Sequence, residues 1–462
     1  MLAADPWQEA MPAAAWRTAA VGLWMAIWWA TEALPVAVTA FLPLVAFEPL
    51  GVADFRAAAA PFANPIVYLF LGGFLIAIAV ERWKLHRRVS LTILARTGTD
   101  GRRLVGGFMI VCALLSMWMT NTSTTMMLLP IVLSVIGVIR ENAPHLDEKA
   151  SADFARAMLL GLAYAASIGG LATLIGTPPN AFLAGFLADE YGHEIGFARW
   201  MMVGLPVSAA MLPCAWLLLT RVLFPVRLPE NAAVAAHLAK LRGQLGSVTP
   251  AEKRVAIVFV SMVASWLARR PVADLLGWSD VSDAGIAMTA AVVLFLVPSG
   301  TAPGGRLLRW EDAARVPWGV LLLFGGGLSL ATAVSESGLA VWLGERLAPL
   351  GDQGPGVLLL ASVALVVLLT ELASNLATAA AFLPVLGAIA LETGVSPILL
   401  SVPVAIASSC AFMLPVATPP NAIVFATGEV RIPEMVRAGF WLNVIGVGIV
   451  TLAAWTLVPL VL

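Results

Sequence analysis

Two stretches decide how this chain reads. They are Thr120-Asn121-Thr122-Ser123-Thr124-Thr125-Met126-Met127-Leu128-Leu129-Pro130 and Ser374-Asn375-Leu376-Ala377-Thr378-Ala379-Ala380-Ala381-Phe382-Leu383-Pro384. Each sets a hydroxyl residue before Asn, continues with a Thr-containing apolar run and closes on Leu-Pro at the same distance, and 254 residues separate the two. Upstream, Leu69-Phe70-Leu71-Gly72-Gly73 faces Leu323-Phe324-Gly325-Gly326-Gly327 at the same offset. Downstream, Gly176-Thr177-Pro178-Pro179-Asn180-Ala181 faces Ala417-Thr418-Pro419-Pro420-Asn421-Ala422 at an offset of 241. Three matches in one order make an internal duplication. The spacing alone leaves open whether the copies run parallel or inverted.

The surroundings of these motifs are apolar. The 462 residues are 60% hydrophobic and 12% charged, against about 25% charged in soluble domains, and the mean hydropathy is +0.91. Apolar runs recur from end to end, around 18–31, 104–119, 200–220, 255–268, 285–297, 356–370 and 439–462. A span needs about 20 residues, which gives roughly eleven crossings and an all-α polytopic membrane protein. Residues 1–60 read as N-terminal helices, 61–230 as repeat 1, 231–310 as a connecting segment with further helices, and 311–462 as repeat 2.

Asp5 and Glu9, rather than basic residues, precede the first apolar run, so that run is expected to be a retained helix and not a cleaved signal. Arg82, Lys84, Arg87, Arg88, Arg96, Arg102 and Arg103 crowd one connection, and Arg221, Arg227, Lys240, Arg242, Lys253 and Arg254 another. The positive-inside rule assigns both to the cytoplasmic face of an inner membrane. Such loops suit topology and lipid contact rather than nucleic acid. Residues 85–96 alternate apolar and basic side chains in the manner of an interfacial helix.

Cys112, Cys214 and Cys410 are scattered through apolar runs, and His86, His145, His193 and His237 fall in polar connections. Neither a metal cluster nor a histidine proton relay is indicated. A Gly-x-Ser-x-Gly elbow and an HExxH motif are both absent, so an intramembrane enzyme has no support.

The chemistry therefore rests on the duplicated motifs. A proline has no N–H and pushes the preceding residue out of the helical region. The double prolines are expected to break a helix, freeing the carbonyls of Leu174, Ile175, Pro415 and Val416. Broken backbone at membrane depth is tolerated where it is buried in protein or lines a cavity. Asn121 and Asn375 add amide oxygens and NH₂ groups, flanked by hydroxyls of Thr120, Thr122, Ser374 and Thr378. Oxygens of this kind suit a hard cation, while amide N–H groups and helix N-termini suit a carboxylate. Asn and Ser/Thr can also simply join membrane helices, and Pro-Pro can be a plain kink; the duplication favours a paired site. Glu32 and Glu371 lie at apolar segments but do not correspond between the repeats, and read as structural polar groups. Neither the Asn motifs nor the Pro-Pro motifs contain Lys or Arg. A bound dianion would draw its counter-charge from elsewhere, most simply from sodium ions.

Together, Thr31-Glu32-Ala33-Leu34-Pro35, the run from Ala63 to Gly73, the Trp83…Leu85-His86-Arg87-Arg88 segment and both pairs of motifs resemble the divalent anion/sodium symporter family of dicarboxylate transporters, over nearly the whole chain. The resemblance implies two inverted repeats, eleven membrane helices, two re-entrant hairpins, a homodimer and elevator-type movement. It implies one sodium site at Ser116, Thr120, Asn121 and the Gly176 region. It implies another at Thr370, Ala373, Ser374, Asn375 and the Ala417 region. Substrate carboxylates would lie among Asn121, Thr122, Thr177, Pro178, Asn375, Leu376, Thr418 and Pro419.

The family pattern is Ser-Asn-Thr twice, whereas this chain reads Thr-Asn-Thr and then Ser-Asn-Leu. Leu376 removes a hydroxyl where a carboxylate is expected. The expected function is sodium-coupled import of C4-dicarboxylates. The alternatives are a sodium-independent dicarboxylate exchanger, a sodium-coupled sulfate or tricarboxylate transporter of the same fold, and a channel.

Overall fold

The computed structural model describes residues 11–142, 147–276, 281–301, 304–347, 349 and 354–462. Asp5, Glu9 and His145 lie outside the described residues. Among those described, all regular structure is helical. The N-terminal half carries α1 (Ala13–Thr31), α2 (Pro65–Arg82), α3 (Leu85–Leu94), α4 (Gly101–Ser116), α5 (Asn121–Asn142), α6 (Glu148–Gly170), α7 (Pro178–Tyr191) and α8 (Phe197–Leu217). The middle carries α9 (Ala232–Gly243), α10 (Pro250–Leu276) and α11 (Asp283–Leu296). Then come α12 (Trp318–Glu336), α13 (Leu339–Leu347), α14 (Pro355–Thr370), α15 (Asn375–Glu392), α16 (Pro397–Ser408), α17 (Pro419–Phe425) and α18 (Ile432–Thr456). Among the described residues, six helical stretches are long and apolar enough to cross a membrane, and several others are apolar but shorter.

The short ones place the site. The 16 residues of α4 and of α14 rise about 24 Å, less than the roughly 30 Å of a bilayer core. Each ends inside the protein, and the chain turns back through Thr120-Asn121 and Ser374-Asn375 into α5 and α15. Local chemistry fixes the starts: Asp100 accepts the N–H groups of Arg102 (2.8 Å) and Arg103 (3.1 Å) to cap α4, and Asn64 accepts that of Ile66 (2.8 Å) ahead of Pro65.

The two LFxGG stretches pack through their glycines. A Cβ on Gly72 would stand 2.7 Å from the Ala287 backbone, and one on the equivalent Gly326 would stand 2.2 Å from the Ala40 carbonyl. Phe70 and Phe324, equivalent in the two repeats, meet edge to face with ring centroids 5.0 Å apart. The C-terminal end of α2 is joined to the turn before α12 by the ion pairs Arg82–Asp312 and Arg315–Glu81 and by the Trp83 indole N–H, which donates to the Leu307 carbonyl at 2.8 Å. With their middles in contact and these opposite ends together, α2 and α12 run antiparallel.

The change of offset from 254 to 241 also has a structural source. In repeat 1 the helix before the Pro-Pro motif is α6, of 23 residues. Its counterpart α16 has 12. The prolines themselves depart from expectation. They do not break a helix but start one, with Thr177 and Thr418 at the N-caps in extended conformation (φ −142° and −143°). The break lies upstream, in residues 171–177 and 409–418. Pro is at home at N1 because that N–H has no helical partner to lose. The carbonyls of Leu174, Ile175, Pro415 and Val416 thus belong to irregular bends. His86, expected in a polar connection, is buried, with Nδ1 3.2 Å from the Val80 carbonyl.

Candidate substrate and cation site

Both hairpin tips and both Thr-Pro-Pro motifs open on one cavity of about 1120 Å³. Thr120, Asn121, Thr122, Gly176, Thr177 and Pro178 line it from repeat 1. Ala373, Ser374, Asn375, Leu376, Ala417, Thr418 and Pro419 line it from repeat 2. Ser116 and Thr370 stand behind the wall, fully buried. The Ser116 hydroxyl donates to Asn121 Oδ1 (2.6 Å), and the equivalent Thr370 hydroxyl is shared between Asn375 Oδ1 (3.1 Å) and the Ser408 carbonyl. Each Asn is thereby held by a hydroxyl five residues earlier.

The Asn that ends each Pro-Pro-Asn motif has a role the sequence reading missed. Asn180 Nδ2 donates to the carbonyls of Gly170 (3.2 Å), Leu171 (3.3 Å) and Thr173 (2.9 Å). Asn421 Nδ2 reaches the Ala411 (3.3 Å) and Leu414 (3.0 Å) carbonyls, the counterparts of Gly170 and Thr173. These side chains replace helical hydrogen bonds that the bends cannot make. The doubled Pro-Pro-Asn was the available signal.

In repeat 1 the bend approaches the hairpin closely. A Cβ on Gly170 would lie 2.8 Å from Asn121 Oδ1 and 3.0 Å from the Gly176 carbonyl oxygen, and one on Gly176 would lie 2.4 Å from the Gly170 oxygen. Amide and carbonyl oxygens therefore converge beside Ser116, a donor set that suits a hard cation. The first residues of α5, Asn121, Thr122 and Ser123, line the same cavity, so the positive end of that helix lies at its wall, which favours an anion.

Repeat 2 is held differently. The Glu371 carboxylate, 3% exposed, accepts the backbone N–H groups of Phe412 (2.7 Å), Met413 (2.9 Å) and Leu414 (3.1 Å) and the side-chain amide of Asn443 (2.7 Å). In repeat 1 Met117 occupies the equivalent position, and its backbone carbonyl accepts the Thr173 hydroxyl. The repeats are stitched together where the Thr177 and Ser409 hydroxyls meet at 3.2 Å. Ser409 carried no signal in the sequence.

Among the described residues lining the cavity, the charged ones are Glu32, Glu81 and Arg315. Glu81 lies at the end of α2 that leads into the basic connection, and Arg315 in the turn paired with it, so the cavity extends to that end of α2.

A family model described as the sodium:sulfate symporter transmembrane region matches residues 1–462. The chain belongs to the sodium:sulfate symporter family. Membership makes it a multi-pass membrane transporter rather than an enzyme, with sodium as the coupling ion. A relative from Staphylococcus saprophyticus, named a sodium-dependent dicarboxylate transporter, is 42% identical over 449 residues, covering 96% of this chain and 86% of its own. A Staphylococcus aureus protein of the same name is 41% identical over the same shares.

Two solved transporters are similar to this symporter-family chain in fold, each at 15% identity. Neisseria gonorrhoeae MtrF, titled an antimetabolite efflux pump, gives a TM-score of 0.55 over 86% of this chain and 83% of its own. Alcanivorax borkumensis YdaH gives 0.54 over 94% and 97%.

Proposed function

We propose that the protein is a sodium-coupled symporter that imports C4-dicarboxylates of the succinate, malate and fumarate type by alternating access. The observation that carries this reading is the single cavity into which both hairpin tips and both Thr-Pro-Pro motifs open. One sodium ion is held by Asn121 and the Gly176 region, with Ser116 and Thr120 in support. A second is held by Asn375, Ala373 and the Ala417 region, with Thr370 and Ser374 in support. The carboxylates bind between Asn121, Thr122, Thr177 and Pro178 on one side and Asn375, Leu376, Thr418 and Pro419 on the other.

The antiparallel course of α2 and α12 supports an inverted duplication of residues 61–230 and 311–462. The short paired helices α4/α5 and α14/α15 support two re-entrant hairpins among eleven spans. On this reading the hairpins and broken helices move together against the remaining helices, elevator fashion, in a homodimer of the inner membrane in contact with its lipid.

Sulfate is the second reading. The family description names it, and Leu376 withholds a hydroxyl from the half-site where a second carboxylate would sit. Radiolabelled succinate uptake into proteoliposomes, with an inward sodium gradient against potassium or choline, tests both. Sodium-dependent accumulation that sulfate does not inhibit establishes the first reading. Sodium-driven sulfate uptake without succinate uptake establishes the second.

A further inference from the structure

Two ion pairs join the end of α2 to the turn before α12, and they differ in what they face. Arg82–Asp312 is the more enclosed, with side chains 24% and 19% exposed, and Asp312 also accepts the Arg309 backbone N–H at 2.8 Å. It is committed to the joint. Arg315–Glu81, with an N–O distance of 2.6 Å, is 45% and 31% exposed, and both residues line the cavity. Arg315 is the only cation among the described residues on that wall, while Glu32 and Glu81 are its acids.

We propose that the Glu81–Arg315 pair is a release station for the dianion on the cytoplasmic side. Arg315 exchanges its partner from Glu81 to a carboxylate of the departing substrate, and Glu81 then reclaims it and displaces the substrate into the cytoplasm. A guanidinium can accept either partner because its planar fork matches any carboxylate. The pair is wet enough to exchange, since half-exposed ion pairs are worth little to stability. Glu81 and Glu32 leave the mouth net negative with Arg315 occupied, which favours departure of a dianion. The hairpin tips carry no cationic side chain, so among the described residues that line the cavity Arg315 is the one cation the substrate meets.

The proposal rests on the dicarboxylate reading of the central site, and its test separates the two. Succinate half-saturation is measured in inside-out membrane vesicles, which present the cytoplasmic mouth, for wild type, Arg315→Gln, Arg315→Lys and Glu81→Gln. Removing the holder and removing the competitor shift affinity in opposite senses. Arg315→Gln raises the half-saturating concentration roughly three- to tenfold, the range of one ordinary hydrogen bond, because the charge is screened at this half-exposed site. Glu81→Gln lowers it and slows efflux, and Arg315→Lys restores part of the loss. A purely structural pair would instead give two variants that move the same way, because either substitution breaks the same bond. That result, or no shift in either variant, overturns the proposal. Wild-type vesicles without sodium-dependent succinate transport would overturn the dicarboxylate reading itself.

Discussion

The two halves of the candidate site repeat one sequence pattern and hold their broken backbone by different means. In repeat 1 the bend of residues 171–177 leans on a neutral bond from the Thr173 hydroxyl to the Met117 carbonyl, and small glycines let it close on Asn121. In repeat 2 a buried carboxylate, Glu371, gathers three consecutive N–H groups and the Asn443 amide. The tips differ as well. Thr120 accepts the Ser123 N–H at 3.2 Å and so caps α5, whereas the Ser374 side chain makes no cap bond to α15, and Thr122 is matched by Leu376. A duplicated site can therefore keep its oxygen-rich centre while its supports diverge. The first half-site is the more polar wall and the second the more firmly anchored.

The largest expected effect tests what the halves share. Asn121→Ala and Asn375→Ala should each reduce sodium-driven uptake at least a hundredfold while folded protein remains in the membrane, since each removes the central amide of its half-site. Size-exclusion profiles alongside uptake check this, and a normally transporting variant at either position would remove that residue from the site. Next in size is the anchoring difference. Glu371→Ala leaves one buried and two part-buried N–H groups unpaired, at up to about 1–3 kcal/mol apiece, and should lower the thermal midpoint sharply. Met117→Ala should do far less, because in repeat 1 the backbone makes the bond. Equal losses from the two would erase the contrast.

A smaller effect concerns the tips. Leu376→Thr returns a hydroxyl to the second half-site and should lower the KM for succinate roughly three- to tenfold, read from uptake at saturating sodium. An unchanged KM would mean that the carboxylate does not reach this position.

The smallest effect lies outside the site, where Arg140 of repeat 1 grips Glu429 of repeat 2 with bonds of 2.7 and 2.8 Å. The Arg140 hydrogen bond holds the Glu429 carboxyl below its usual value of 4.5. Its contribution is complete above that value and is lost as pH falls through the lower folded one. With side chains 42% and 28% exposed, the pair should contribute under about 1 kcal/mol. The gap in thermal midpoint between wild type and Glu429→Gln should be small at pH 7 and close toward pH 4. A gap that widens with acid would contradict the assignment.

What was legible in the sequence was what the duplication wrote twice. Asn121 and Asn375, the Thr-Pro-Pro motifs and the glycines of the LFxGG stretches announce themselves by recurring; the structure brings the Asn and Thr-Pro-Pro motifs to one cavity and sets the glycines in separate close packing contacts. Features that occur once were opaque. Glu371 could be seen as an acid in an apolar segment, but its partners begin 41 residues away and are backbone groups with no residue signature. Glu81 and Arg315 stand in different repeats, so only the folded chain pairs them. The prolines were misplaced for a physical reason. Their missing N–H is as compatible with starting a helix as with breaking one, and only the bend upstream decides between the two.

The helix starts that face the cavity have a consequence for how such proteins change over generations. The positive ends of α5 and α15 come from aligned peptide units, each helix contributing roughly half an elementary charge. No codon specifies that charge, so no single nucleotide change deletes it. Side chains at the tips, Leu376 among them, can drift while the attraction for an anion persists. Selectivity in this architecture is free to wander between anions without first passing through a protein that binds none.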